Sequence, residues 1–535
     1  MKVPLRLVLD ACMRSRLLAE DEAARGLQWA GQEQDAYRIA SLVGRVPRRH
    51  VLHAVAQYSQ LSLYPAEVLR PDVQAIERLP SSLQRDQRIL PLIAEPGAEQ
   101  SLLITGPQDA SLIDIAGRSL GRRCRGFLAD PVEIRAAWER LSAGGDSTRD
   151  QGPDMGAVHL LDDVLIEAWC HRATDIHIEP QAEGYRIRLR IDGRLEPLRL
   201  GLPVAQATAL ISRLKVLSEL DIAETRAPQD GGCRHRIRVD RLRVLEMRLA
   251  TIPTRQGERM TIRLLGVGLE GASIDDLDIS PPGKALLLQA LSQPHGLIVI
   301  TGATGSGKST TLYACLRHLA EDFRNLLTVE DPVESRIPGI SQVQVDSVGK
   351  VSFAAALRSM LRHDPDVIMV GEIRDAETAT LALQAACTGH LVLASLHTNT
   401  AADAPGRLRD LGCPPWLIAA TLRLSIGQRL LRRLCTACRR PMAQTPAHLA
   451  WVEGTHYHAP GCPACAESGT RGRVASFEIL SFTPERQRLV AAGADAQALL
   501  QSSDGYVPYR KDLQPKIHAG IIDAEQAMPL MLEAV

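Results

Sequence analysis

The nine residues "GATGSGKST", Gly302 to Thr310, constrain this chain more than any other stretch. Gly302, Gly305 and Gly307, spaced by Ala303, Thr304 and Ser306, let the backbone turn its N–H groups toward phosphate oxygens at the mouth of a helix. Lys308 is then placed for the β and γ phosphates of ATP. Ser309 offers its hydroxyl to Mg²⁺, and Thr310 closes the motif. Such a loop must leave a buried strand and open a helix, and "GLIVI" before it and "STTLYACLRHLA" after it supply both.

Hydrolysis also needs a carboxylate beside the attacking water. "DVIMVGEIRD" reads as a buried strand, Val367 to Val370, that ends in Gly371 and delivers Glu372 as the water-orienting base. Many nucleotide-hydrolysing loops of this type place an aspartate just before that glutamate, and here the position is glycine. Help for the metal is expected instead from "TVEDPVE", where Glu330, Asp331 and Glu334 follow a second strand. A third strand in "TGHLVLASLHTN" ends at His397, placed to sense the γ-phosphate because ligands of open α/β sheets gather at the strands' C-terminal ends.

At 535 residues the chain exceeds one hydrophobic core and divides into several units. The glycine-rich "SAGGDSTRDQGP" marks a linker over 142–153, closing a first α/β domain over 1–141. A second, α+β domain follows over 154–268. In it, Tyr185, Ile187, Leu189 and Ile191 alternate with arginines up to an Asp192–Gly193 turn, the pattern of a half-buried hairpin with a basic outer face. A second linker is expected over 269–283, the nucleotide-binding domain over 284–432, a cysteine-bearing element over 433–476 and a helical C-terminal subdomain over 477–535.

The 62 lysines and arginines balance the 62 aspartates and glutamates, and aromatic residues make up only 3%. Neither a global positive field nor many stacking platforms are available, so nucleic acid is not an expected partner. No apolar run reaches the roughly 18 residues of a membrane span, which suggests a cytoplasmic protein.

Four of the eleven cysteines are paired: Cys435 and Cys438, then Cys462 and Cys465. Two such knuckles can present four thiolates tetrahedrally, so a structural Zn²⁺ is expected. A disulfide pairing, and His456 or His458 as a replacement ligand, are the alternatives.

Taken in order, "GATGSGKST", "TVEDPVE", "LRHDPDVIMVGEIRD" and "GHLVLASLHTN" resemble the Walker A, Asp box, Walker B and His box of the secretion ATPase superfamily, which drives type II secretion and type IV pilus assembly. The resemblance spans about residues 160–480. It implies a homo-hexamer with a RecA-like core, preceded by a PAS-like α+β domain. By motif position, "ATDIHIEP" and "MRLATIPTRQGERMTIRLL" look like that preceding domain and make Arg248 and Arg263 its arginine fingers. The tetracysteine element, "GQRLLRRLC" and "GRVASFEIL" resemble the assembly branch, and the general secretion pathway protein E family above all. For such a motor the resemblance implies peripheral attachment to the inner membrane, with residues 1–141 docking on secretion platform proteins like the general secretion pathway proteins L and F. We find no clear copy in residues 1–141 of the arginine–leucine–glycine motifs with which some relatives bind cyclic di-GMP. A nucleic-acid motor and a nucleotide-binding regulator without turnover are the other function classes.

Overall fold

The computed structural model describes residues 3–29, 35–64, 70–93, 99–143, 153–182, 184–239, 242–266, 272–320, 323–345, 351–442, 449, 454–465, 467–501 and 504–532. Two compact units emerge, residues 1–267 with 460–469, and residues 268–459 with 470–535. Most of the expected linker at 142–153, and residues 269–271 of the second, lie outside the described residues.

The first unit holds two sheets. β1 (Ser62–Leu63), β2 (Ile89–Pro91), β3 (Gln100–Ile104) and β4 (Cys124–Leu128) form one in the order β1-β4-β3-β2. The other contains β5 (Asp175–Gln181), β6 (Gly184–Ile191), β7 (Arg194–Leu202), β8 (Gln229–Arg238), β9 (Leu242–Thr254) and β10 (Gly257–Leu264), in the order β7-β6-β5-β10-β9-β8, antiparallel throughout. Period-two alternation explains its two faces. Ile176, Ile178, Ile187, Leu189, Met247, Leu249, Met260 and Ile262 are buried with Leu161, Leu165, Leu210 and Leu214 from the helices Pro153–Cys170 and Val204–Leu217. The polar residues between them make an arginine-rich opposite face. The β6–β7 hairpin turns at Asp192 and Gly193, both at positive φ (48° and 85°), as expected for a tight primed turn.

The second unit is built on one eight-stranded sheet, ordered β13-β12-β14-β15-β11-β16-β19-β20. Its strands are β11 (Gly296–Thr301), β12 (Leu326–Glu330), β13 (Ser341–Gln344), β14 (Val367–Val370), β15 (Leu391–Leu396), β16 (Leu422–Leu434), β19 (Thr470–Ser481) and β20 (Tyr506–Val507); β17 (Arg440–Pro441) and β18 (Tyr457–His458) pair separately. From β13 to β16 the pairing is parallel; β19 and β20 are added antiparallel. Helices cover both faces, so even β11 alternates between two cores: Leu297 and Val299 pack toward one, Ile298 and Ile300 toward the other.

Two expectations change here. Residues 272–283 do not form a free connector, because Ile274 and Leu277 are buried in the second unit's core and a helix begins at Pro281. The C-terminal segment is not purely helical either. β19 crosses the expected boundary at 476 without interruption and pairs with β16 from Leu424↔Ser481 to Leu434↔Thr470, because Val474, Phe477, Ile479 and Leu480 need the sheet's cores to bury them.

Candidate nucleotide site

Four adjacent parallel strands bring the sequence motifs to one edge. β12 ends at Glu330, β14 at Val370, β15 at Leu396 and β11 at Thr301, and each runs directly into its motif. Parallel pairing makes this convergence unavoidable, since strands that point the same way release their loops on the same side.

Gly302, Gly305 and Gly307 all have positive φ (147°, 78° and 89°), a region where a side chain is strained. Their surroundings differ. A Cβ on Gly302 would lie 2.5 Å from the Gln428 carbonyl and one on Gly307 2.8 Å from Gln428 Nε2, whereas Gly305 faces open space. Gln428 of β16 therefore sits beneath the loop, where its Oε1 accepts a 2.8 Å hydrogen bond from Thr311 in the helix Lys308–Leu319. Ala303, Thr304 and Gly305 are exposed, as a ligand cradle requires, while Ser306 is buried and Ser309 and Thr310 are half-buried in the helix's first turn. Lys308 Nζ donates to the carbonyls of Gly302 (2.7 Å) and Ala303 (3.1 Å). Burial pushes its pKa below lysine's usual range; the charge of Glu372 opposes that shift and Arg429 adds to it.

Glu372 lies between His397 and Arg374. Its Oε1 is 2.7 Å from His397 Nε2 and its Oε2 2.8 Å from Arg374. Burial works against ionisation, but the Arg374 hydrogen bond and the charges of His397, Arg374 and Lys308 outweigh it and hold the carboxyl below its ordinary range. The carboxylate is thus ionised, oriented and within electrostatic reach of Lys308. Arg374, which the motif pattern did not single out, is kept charged chiefly by its hydrogen bond to Glu372, with Asp331 among the charges that add to it.

The acids after β12 separate. Asp331 is exposed at the turn and Glu334 half-buried beyond it. Glu330 is buried and turned into the protein, accepting from Tyr313 Oη, Thr328 Oγ1 (2.6 Å) and Gln342 Nε2 (3.1 Å). A carboxylate committed three ways is a brace, so we assign Glu330 to holding this turn and no longer to nucleotide contact. Tyr313 completes the brace, because its hydroxyl also accepts from the backbone N–H groups of Glu334 (3.0 Å) and Ser335 (3.2 Å).

Arg248 and Arg263 belong to the first unit, directly opposite each other on β9 and β10 and both exposed. The Sγ atoms of Cys435, Cys438, Cys462 and Cys465 all lie within 4.8 Å of one another. Cys462 and Cys465 are 3.8 Å apart, the edge of a tetrahedron with metal–sulfur bonds of about 2.3 Å and far beyond a disulfide bond of about 2.05 Å. The N–H of Gly469 points at Cys465 Sγ (3.2 Å), as an outer-shell donor to a thiolate does. The four residues fit a closed structural zinc site; His456 and His458 are not part of the cluster.

A phosphate loop, an ionised glutamate and a histidine at one edge of a parallel sheet define a nucleotide-hydrolysing P-loop protein. Comparison with known proteins narrows the class. Residues 151–529 match the family described as type II/IV secretion system protein, and residues 60–148 match the MshEN domain. The chain belongs to the type II/IV secretion system protein family and is an ATPase of the secretion and pilus class. It is 37% identical over 488 residues to the type II secretion system protein E of Pectobacterium carotovorum, covering 85% of this chain and 97% of that one. To the type IV pilus assembly ATPase PilB of Acinetobacter baylyi it is 40% identical over 407 residues, covering 74% and 69%. The Legionella pneumophila ATPase DotB shares the fold, with a TM-score of 0.53 at 23% identity over 73% of this chain and 98% of that one.

Proposed function

We propose that this protein is the hexameric cytoplasmic motor of a type II secretion system, attached to the inner membrane through platform proteins and hydrolysing ATP to drive pseudopilus assembly. The reading is carried by the alignment over nearly the whole length of a type II secretion system protein E. Among the described residues no helix is long and apolar enough to cross a membrane, which agrees with attachment through partners.

In this reading Lys308 and the loop amides hold the phosphates and Ser309 ligates Mg²⁺. Glu372 orients the attacking water, His397 senses the γ-phosphate through Glu372, and Asp331 and Glu334 complete the metal's surroundings. Arg248 and Arg263 supply positive charge to the transferring phosphoryl group, coupling turnover to domain closure. Zn²⁺ at the four cysteines is structural, and residues 1–141 dock on the platform. Type IV pilus extension is the second reading, favoured by the 40% identity to PilB.

Crosslinked membrane pull-down with the Glu372→Gln protein, which should hold ATP without turning it over, separates the two. Recovery of a secretion platform with pseudopilins is expected. Recovery of pilus platform proteins with a major pilin would establish the second reading, and recovery of neither would remove both.

A further inference from the structure

One row of residues crosses the arginine-rich sheet of the first unit. Arg190 of β6 stands opposite Asp175 of β5, Asp175 opposite Arg263 of β10, and Arg263 opposite Arg248 of β9. Like charges directly opposite on neighbouring strands repel, so three arginines in one row need a carboxylate among them. Asp175 is that carboxylate. Its side chain is only 9% exposed, and Thr174 Oγ1 donates to its Oδ2 (2.8 Å), which fixes the acid before it meets any arginine.

The contacts then differ in a way that matters. Arg263 donates its Nε–H to Asp175 Oδ1 at 3.0 Å, and its side chain remains 60% exposed. The two η nitrogens take no part in that bond and stay available to a ligand. Four residues further along β5, on the same face, Glu179 shows a different use of a carboxylate. It takes Arg186 through Nε (2.6 Å), Arg188 through Nε and an η nitrogen together (2.9 and 2.7 Å) and Arg259 through an η nitrogen (2.9 Å), so it is shared among three arginines and engages the η ends of two of them.

We infer that Asp175 is the positioning residue of the Arg263 finger: it grips the inner edge of the guanidinium, fixes its plane, and leaves the outer edge to meet phosphoryl oxygens. The inference rests on the finger reading of Arg263 given above. Holding a donor fork ready in this way removes the ordering cost at the moment of reaction, so its loss falls on turnover and leaves ground-state binding largely intact.

The test uses the full chain and measures steady-state ATP hydrolysis, affinity for a fluorescent non-hydrolysable ATP analogue, and thermal unfolding. Asp175→Ala should lower kcat roughly tenfold and Asp175→Asn, which keeps an oxygen acceptor for Nε, by less, with analogue affinity within about twofold of the parent. The double variant Asp175→Ala/Arg263→Ala should be no slower than Arg263→Ala alone, because Asp175 acts on turnover through Arg263, while its longer 3.7 Å contact with Arg190 Nε serves the sheet. Unchanged kcat in both Asp175 variants, or losses that multiply in the double variant, would overturn the assignment. If Arg263→Ala itself hydrolyses ATP normally, the finger reading fails; if Arg263→Ala is slow while the Asp175 variants are normal, only the positioning role fails. Should Asp175→Ala not fold, the isosteric Asp175→Asn carries the test.

Discussion

Glu372 of the second unit and Glu179 of the first are both carboxylates held by arginine, and they do different work. Glu179 lies on a strand face, 4% exposed, with Arg186, Arg188 and Arg259 all upon it. Burial alone would oppose its ionisation, yet the hydrogen bonds and charges of Arg188 and Arg186 bring its pKa down to about 2. Glu372 lies in a loop past a strand end, 19% exposed, with Arg374 and His397 at its two oxygens and Lys308 nearby. A register-fixed face can saturate a carboxylate with partners and make it a structural hub. A loop at a sheet edge leaves it partners that can give way to Mg²⁺, water or phosphate.

The sharpest way to break this contrast is to make the same substitution at both positions. Glu372→Gln should reduce ATP turnover by about 10²–10³ while the thermal midpoint and nucleotide affinity stay near the parent's, since the amide keeps the shape and loses the charge that the proposed water-orienting role requires. Glu179→Gln should do the reverse. It strands three guanidinium groups and costs about 2 kcal/mol, below the roughly 3–5 typical of a fully buried pair because the arginines retain some water contact. If denaturation showed the larger loss in Glu372→Gln, the assignment of hub and base would be inverted.

Acid separates the two units next. Because the folded pKa of Glu179 lies below its ordinary 4.5, its stabilising contribution is complete above about pH 5 and is lost as the pH falls toward 2. Protection against hydrogen exchange in β5, β6 and β10, taken relative to the intrinsic exchange rate at each pH, should therefore fall across that window in the parent, and the Glu179→Gln protein should show a flatter dependence there. Equal acid sensitivity in parent and variant would mean that Glu179 is not the group responsible.

Much of this contrast could be read from the chain before its fold was known, and the remainder for physical reasons could not. Strand, glycine loop and helix follow from local spacing, so the cradle from Gly302 to Thr310, Glu372 after its strand and the β6–β7 hairpin all stand where periodicity places them. Glu330 misleads because β12 is buried on both faces, and a strand without polar alternation gives no signal of which way its last carboxylate turns. Gln428 beneath the loop lies more than a hundred residues from Thr311, its partner, and only the sheet order β15-β11-β16 brings them together. The continuation of β19 past residue 476 depends in the same way on pairing with β16, which no local pattern encodes.

The smallest expected effect is the most informative about the loop site. Arg374 supplies the leading favourable influence on the ionised form of Glu372, yet its own side chain is 61% exposed, so water screens much of its charge. Replacing it with alanine removes one hydrogen bond and leaves His397 and Lys308 in place. The pKa of Glu372 should then rise, and because a water-orienting base must be ionised, the acid limb of the kcat/KM profile should move to higher pH by less than about one unit. Turnover at neutral pH should hardly change, since the carboxylate remains ionised there either way. A large loss at neutral pH would instead make Arg374 a group that touches the reacting phosphate. An acid limb that stayed in place would show that His397 and Lys308 suffice to set the charge of Glu372, leaving Arg374 to hold its direction.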